Sequence, residues 1–113
     1  LRLRLTARDA SAGGRRQMMQ KLPKYRSQMR IYVDIMRVIQ REDNRAKPTR
    51  ILYGANLSHD RLLKYLDELK ALGVIEAIVE EDDRLYRLTQ KGIEFLNQFR
   101  GVERFAAAFG FAI

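Results

Sequence analysis

The 113-residue chain has no cysteine, no tryptophan, two prolines and a single histidine. Without cysteine there is no disulfide framework, no thiolate metal site and no cysteine nucleophile. One histidine, His59, and dispersed acids give no ligand set at metal spacing. No glycine-rich phosphate loop and no nucleophile elbow is present. No apolar run approaches the ~18 residues of a membrane span. These absences leave no candidate catalytic residue, metal or cofactor. The chain is expected not to be an enzyme and not to enter a membrane.

What is present is 46% hydrophobic and 32% charged residues, the balance of one folded domain. A chain of this length can remove roughly two-thirds of its unfolded surface from water. Lys and Arg number 22 against 14 Asp and Glu, for a net charge of +8. That excess points to an anionic partner, nucleic acid first and anionic membrane second. It is unevenly placed. Residues 1–30 hold nine basic residues and one acid, Asp9, which accounts for the whole excess. Residues 31–113 hold thirteen of each sign.

Residues 1–24 read as a flexible basic arm, either lying on DNA or inert. Gly13-Gly14 and Pro23 oppose helix. The alternation Leu1-Arg2-Leu3-Arg4-Leu5 is too short to hold a strand alone. Met18 or Met19 is a candidate start; on that reading residues 1–17 lie outside the functional domain and the charge falls to +4. The arm lacks the apolar core of a secretory signal, and a cytoplasmic protein is expected.

Beyond the arm the pattern turns helical. Ile31, Ile35, Val38 and Ile39 recur at helical spacing from Ser27 to Arg41, with Arg30, Asp34, Arg37 and Arg41 mostly opposite. A polar loop, Glu42 to Pro48, follows. A second, short helix is expected from Thr49, its N-cap, to Gly54-Ala55-Asn56, with Ile51 and Leu52 inward. After the turn Asn56-Leu57-Ser58, Ser58 caps a third helix, His59 to Leu72, buried along Leu62, Leu66 and Leu69 and stopped by Gly73. Two strands follow, Val74 to Val79 and Arg84 to Leu88, joined by the turn Glu80-Glu81-Asp82-Asp83. Tyr86 and Leu88 share one face. Thr89 caps a last helix from Gln90, with Ile93, Leu96 and Phe99 packing on the domain.

Helix, helix, short turn, helix, hairpin, helix is a winged helix-turn-helix order. The expected fold is α+β, mainly α: a three-helix bundle with a two-stranded wing and a C-terminal helix. The domain spans residues 25–100, and 101–113 form an apolar extension of the last helix. The exposed face of the third helix is expected to hold His59, Arg61, Lys64 and Glu68. Arg61 offers a bidentate fork for guanine and Lys64 a point charge. Lys47, Thr49 and Arg50 stand at the start of the second helix, where hydroxyl and backbone donors meet phosphate. His59 reads as a polar surface residue first and a base contact second. Tyr32, Tyr53 and Tyr65 read as core or half-buried. Phe95, Val102 and Phe109 are spaced by seven, with Phe105 and Ala112 interleaved. Gly101 and Gly110 weaken that stripe as a coiled coil. So much apolar surface near a chain end marks an interface. A homodimer through Phe95, Phe99, Val102, Phe105 and Phe109 is expected.

The segments Thr49-Arg50-Ile51-Leu52-Tyr53-Gly54-Ala55-Asn56-Leu57-Ser58, Tyr65-Leu66, Leu72-Gly73-Val74-Ile75 and Tyr86-Arg87-Leu88-Thr89-Gln90-Lys91-Gly92 carry a resemblance. Together, over residues 28–100, the chain resembles an archaeal winged helix-turn-helix family that includes the 10a-type chromatin proteins of Sulfolobus and predicted transcriptional regulators. The resemblance implies double-stranded DNA binding through the third helix, dimers built on the last, and a nucleoid-associated protein. It places Ser58, His59, Arg61 and Lys64 on the recognition helix. The sequence departs from a DNA-binding wing at its tip, where four acids stand in a row. Phosphates repel such a tip, so it either points away from DNA or faces a basic partner surface. It lacks the spaced ligands of a calcium loop and reads as a solvated turn. Arg84 and Arg87, lower on the hairpin, remain phosphate candidates. The alternative function is a winged-helix protein-interaction module that does not bind DNA. A weaker third is single-stranded nucleic acid or RNA binding through the arm.

Overall fold

In a computed structural model of the chain, residues 26–111 and residue 113 are described. The expectations for the arm and for Ala112 lie outside them. Helix α1 (Gln28–Arg41) begins where the Ser27 hydroxyl accepts the Arg30 N–H at 3.0 Å, an N-cap bond. Six of its residues, Ile31, Val33, Ile35, Met36, Val38 and Ile39, are buried. This is broader than a one-sided amphipathic stripe, because α1 is the central rod of the domain.

Helix α2 (Pro48–Gly54) starts one residue before the expected cap. Lys47 is the N-cap and makes no side-chain capping bond, while Thr49 lies inside the first turn. The reason is Pro48. Its fixed φ suits the first helical position, where its missing N–H costs nothing. Helix α3 (His59–Leu72) follows the Ser58 cap, whose Oγ accepts the Arg61 N–H at 3.3 Å. It ends at Gly73 in the left-handed region, φ 79°, a conformation glycine adopts without strain.

Strands β1 (Ile75–Glu80) and β2 (Asp83–Leu88) pair antiparallel from Ile75↔Leu88 to Glu80↔Asp83. The tip is therefore two residues, not four. Glu81 and Asp82 both have positive φ, 49° and 68°, the backbone a tight hairpin needs to follow strand twist. Glu80 and Asp83 are the last rung of the ladder. The loop before α2 also joins the hairpin, which the sequence pattern did not indicate. The Ala46 N–H donates to Tyr86 O at 3.0 Å, and the Ala46 carbonyl accepts the Tyr86 N–H at 2.9 Å. Asn44 Oδ1 accepts the Leu88 N–H at 2.7 Å.

Helix α4 (Gln90–Ala108) is capped by Thr89, whose Oγ1 accepts Gly92 N–H and donates to Gly73 O at 2.6 Å. Gly92 meets the root of the hairpin so closely that an added Cβ would lie 2.1 Å from Val74 O. The core runs from α1 through Ile51, Leu62, Leu66, Leu69 and Ile75 to Leu96.

An ion lattice ties the far half of α4 to α1. Glu103 accepts from Arg30 at 2.8 Å and from Arg37 at 2.5 Å. Hydrogen bonds from Arg37, then from Arg30, hold its carboxyl at about 2 rather than the usual 4.5. Arg26 donates to Asp34 at 2.9 Å and to the Ala55 and Asn56 carbonyls at the end of α2. Two members of the N-terminal basic excess, Arg26 and Arg30, are thus engaged within the domain.

Gly92→Ala is expected to lower the free energy of unfolding by about 1–3 kcal/mol, read by chemical denaturation. The clash is with backbone, so it outweighs the ~1 kcal/mol helix preference of Ala over Gly; unchanged or raised stability would contradict the close approach. Glu103 has a depressed folded pKa. Its contribution is complete above about pH 4.5 and is lost as pH falls toward about 2. Glu103→Gln is expected to cost on the order of 2 kcal/mol at neutral pH and to flatten the pH dependence of stability across that window.

Candidate nucleic-acid interface

Helix α3 buries Leu62, Tyr65, Leu66 and Leu69. At 100° per residue, the direction opposite that stripe is taken by Asp60, Leu63, Lys64, Asp67 and Ala71, all exposed. Arg61 lies on one flank, next to Lys64. Both are held over one aromatic ring. The Arg61 guanidinium is 5.7 Å from the Tyr65 ring centroid and donates to Tyr65 Oη at 3.4 Å. Lys64 Nζ is 5.4 Å from the same centroid. Cation–π attraction of this kind restricts long side chains without neutralising them.

Tyr65 is itself fixed from beneath. It is 7% exposed and packs edge-on to Tyr32, centroids 5.9 Å apart. The Tyr32 hydroxyl donates to Glu68 Oε1 at 2.6 Å and accepts from Gln28. Burial first, and then the Glu68 bond, push the Tyr32 hydroxyl above its ordinary pKa. Glu68 was expected on the open face. It is half-buried and bound into this network, which draws one carboxylate away from the surface.

The other expected residues are distributed unevenly. His59 precedes Arg61 by two positions, 200° around the helix, so the two stand on opposite flanks. The Ser58 hydroxyl serves the helix cap. On α2, Thr49 and Arg50 are exposed, and Tyr53 joins them at 79% exposure. The expectation of a core or half-buried Tyr53 is thereby corrected. Ile51 takes the buried position, and Tyr53, two residues on, points nearly the opposite way. That spacing was readable beforehand, because so short a helix turns one narrow face inward.

The wing arranges its charges against its own chain. Arg45 is ion-paired to Glu80, and Lys47 Nζ lies 3.7 Å from Asp83. Glu80 and Asp83 thus face basic residues of the same chain, an arrangement outside the two orientations expected for the acidic tip. Arg50 Nε is 3.9 Å from Glu42, and Arg87 Nε donates to Glu76 at 2.6 Å. Arg61, Lys64 and the exposed Arg84 have no carboxylate partner among the described residues.

The aromatic stripe of α4 divides in two. Phe99 is 8% exposed, stacks on Phe95 with centroids 6.0 Å apart, and lies under the Arg37 guanidinium. It belongs to the chain's own core and has little surface left for a partner. Phe95 is half-buried. Val102, Phe105 and Phe109 are open, at 52%, 66% and 64%. The rings of Phe105 and Phe109 are 5.0 Å apart. Helix α4 stops at Ala108, and Phe111 N–H returns to Ala106 O at 2.8 Å around Gly110, φ 81°.

Comparison with solved structures finds this fold elsewhere. Sso10a-2, a DNA-binding protein from Sulfolobus solfataricus, is 27% identical with a TM-score of 0.64, over 74% of this chain and 85% of that one. F93 from STIV, a winged-helix DNA-binding protein, is 17% identical with a TM-score of 0.58, over 73% and 92%. The transcriptional regulator BldR from Sulfolobus solfataricus is 17% identical with a TM-score of 0.53, over 67% of this chain and 60% of that one. At 17% identity the last two speak to the fold alone. None of the curated proteins compared matches the chain. A model of the winged helix-turn-helix family matches residues 25–107, which takes in α1 to α3, both strands and all but the last residue of α4, and the chain belongs to that family.

Proposed function

We propose that the chain binds double-stranded DNA as a homodimer and regulates transcription or organises DNA, without catalysis. The observation that carries this reading is the pair Arg61 and Lys64, both held over the Tyr65 ring on one flank of α3. A helix bearing such a pair fits the major groove, where Arg and Lys meet guanine edges and phosphates. Thr49, Arg50 and Tyr53 on α2 supply a hydroxyl, a guanidinium and a phenol, the groups that set register on phosphate. Similarity to the DNA-binding protein Sso10a-2 supports the same reading. Among the described residues, no helix is long and apolar enough to cross a membrane.

The dimer rests on the open part of the aromatic stripe. Val102, Phe105 and Phe109, with Phe111 at 67% exposure, leave a contiguous apolar end on the domain. Such a surface is ordinarily covered, and an isologous contact covers it with a second copy of itself. Two recognition helices would then address half-sites about one helical turn apart. One observation favours the protein-interaction reading. The three cations of α3, Arg61, Lys64 and Lys70, are matched by Asp60, Asp67 and Glu68, so the helix has no net charge.

Arg61→Ala and Lys64→Ala are each expected to weaken duplex binding roughly fivefold or more, measured by fluorescence anisotropy at several salt concentrations. Unaltered affinity and salt slope in both variants and in the double variant would remove α3 from the interface. A stoichiometric protein partner that survives nuclease treatment, with no duplex binding, would favour the interaction module. The intact chain is expected to sediment at twice its monomer mass at micromolar concentration, and Phe105→Glu/Phe109→Glu at the monomer mass. A monomeric wild-type chain would refute the dimer.

A further inference from the structure

Two cations at the junction of α1 and α2 are held by the wing. Arg45 is ion-paired to Glu80, and Lys47 lies 3.7 Å from Asp83. The geometry follows from one bridge. Ala46 is pinned to Tyr86 by two backbone hydrogen bonds. Its neighbours Arg45 and Lys47 are two residues apart on an extended segment, so they project to the same side. Glu80 and Asp83 form the last rung of the hairpin and meet them there. Between these groups lies an open cleft of about 650 Å³, with Arg50 on its wall and the buried Leu85 among its lining.

A carboxylate and a phosphodiester present the same chemistry to a guanidinium or an ammonium: an anionic oxygen accepting charged N–H donors. We infer that Glu80 and Asp83 act as an internal stand-in for the DNA backbone, occupying Arg45 and Lys47 and restraining the affinity of the chain for duplex. The inference rests on the DNA-binding reading above, and it adds Arg45 to the phosphate-contacting groups. A phosphate arriving at either cation must displace a carboxylate. Each cation then contributes less net affinity, and less counterion release, than a free one. The exchange is feasible because the pairs are exposed, with side-chain accessibilities of 61% and 41% for Arg45 and Glu80, and 59% and 58% for Lys47 and Asp83. Exposed pairs of this kind are weak. Glu81 and Asp82 provide a control in the same hairpin. They carry the same charge at the exposed tip, Glu81 at the edge of the cleft and Asp82 outside its lining, and neither is ion-paired among the described residues.

The test is anisotropy of a labelled mixed-sequence duplex with the full chain over a range of salt. Glu80→Gln/Asp83→Asn is compared with Glu81→Gln/Asp82→Asn, each also in an Arg45→Ala/Lys47→Ala background. The wing-rung variant is expected to bind roughly threefold or more tighter, with a salt slope steeper by about one to two. The tip variant is expected to gain less, and the rung variant to gain nothing in the Arg45→Ala/Lys47→Ala background. Unchanged or weaker binding by the rung variant overturns the inference. So does an equal gain from the tip variant, which would mean long-range repulsion alone, or a gain that survives loss of Arg45 and Lys47. A wild-type chain that binds no duplex at any salt overturns the DNA reading along with it. Wild-type binding without the gain overturns this inference alone.

Discussion

The burial of α1 is the constraint on which the rest of the structure depends. Val33, Ile35 and Ile39 are wholly inaccessible, and the surfaces that cover them are α2, the wing and α4 in turn. A helix buried on so many sides has few directions left for polar residues. Arg30, Asp34 and Arg37 take them, and their partners are consequently specified. Glu103 on α4 receives two guanidinium groups, and Asp34 receives Arg26 and Arg30. The ion lattice is thus a result of the packing. It orients the long last helix, which burial of Leu96 and Phe99 alone would leave free to pivot beyond that point.

From that rod outward, each candidate contact residue is held by another side chain or backbone group behind it. Tyr32 on α1 supports Tyr65, and Tyr65 supports Arg61 and Lys64. Asn44 and Ala46 hold the loop to β2, which brings Arg45 and Lys47 to the wing. A site built on rigid elements positions its side chains better than one built on loops. Here even the loop is bridged to the edge of the sheet.

Much of the fold was legible in the sequence, because it depends on local signals. Ser58, Gly73 and Thr89 are helix caps whose chemistry acts within three or four residues, and each stands where it was expected. The leucine spacing of α3 and the order of the elements followed as well. Boundaries moved where two local signals competed. Pro48 overrode Thr49 as the start of α2, and the positive φ of Glu81 and Asp82 shortened the wing turn to two residues. Tyr53 stands outward instead of inward because it lies 200° around α2 from the buried Ile51. The candidate site was less legible than the fold. Arg61 and Lys64 were recognisable as neighbours, while the diversion of Glu68 to Tyr32 depends on a contact 36 residues away in sequence.

Sequence alone determined that this chain is a winged helix with a body of zero net charge, and that any strong positive field comes from the first 30 residues. Those facts follow from composition, period and capping, which need no knowledge of the third dimension. Only the tertiary structure decided which charges are available. Arg26, Arg30 and Arg37 are taken up by α1, α2 and α4, Lys47 and Arg45 by the wing, and Arg61 and Lys64 stay over Tyr65. The reason is range: a cap or a helical stripe is satisfied by residues a few positions away. A charge is satisfied by whatever carboxylate folding brings within about 4 Å, and that distance has no expression in the order of residues along the chain.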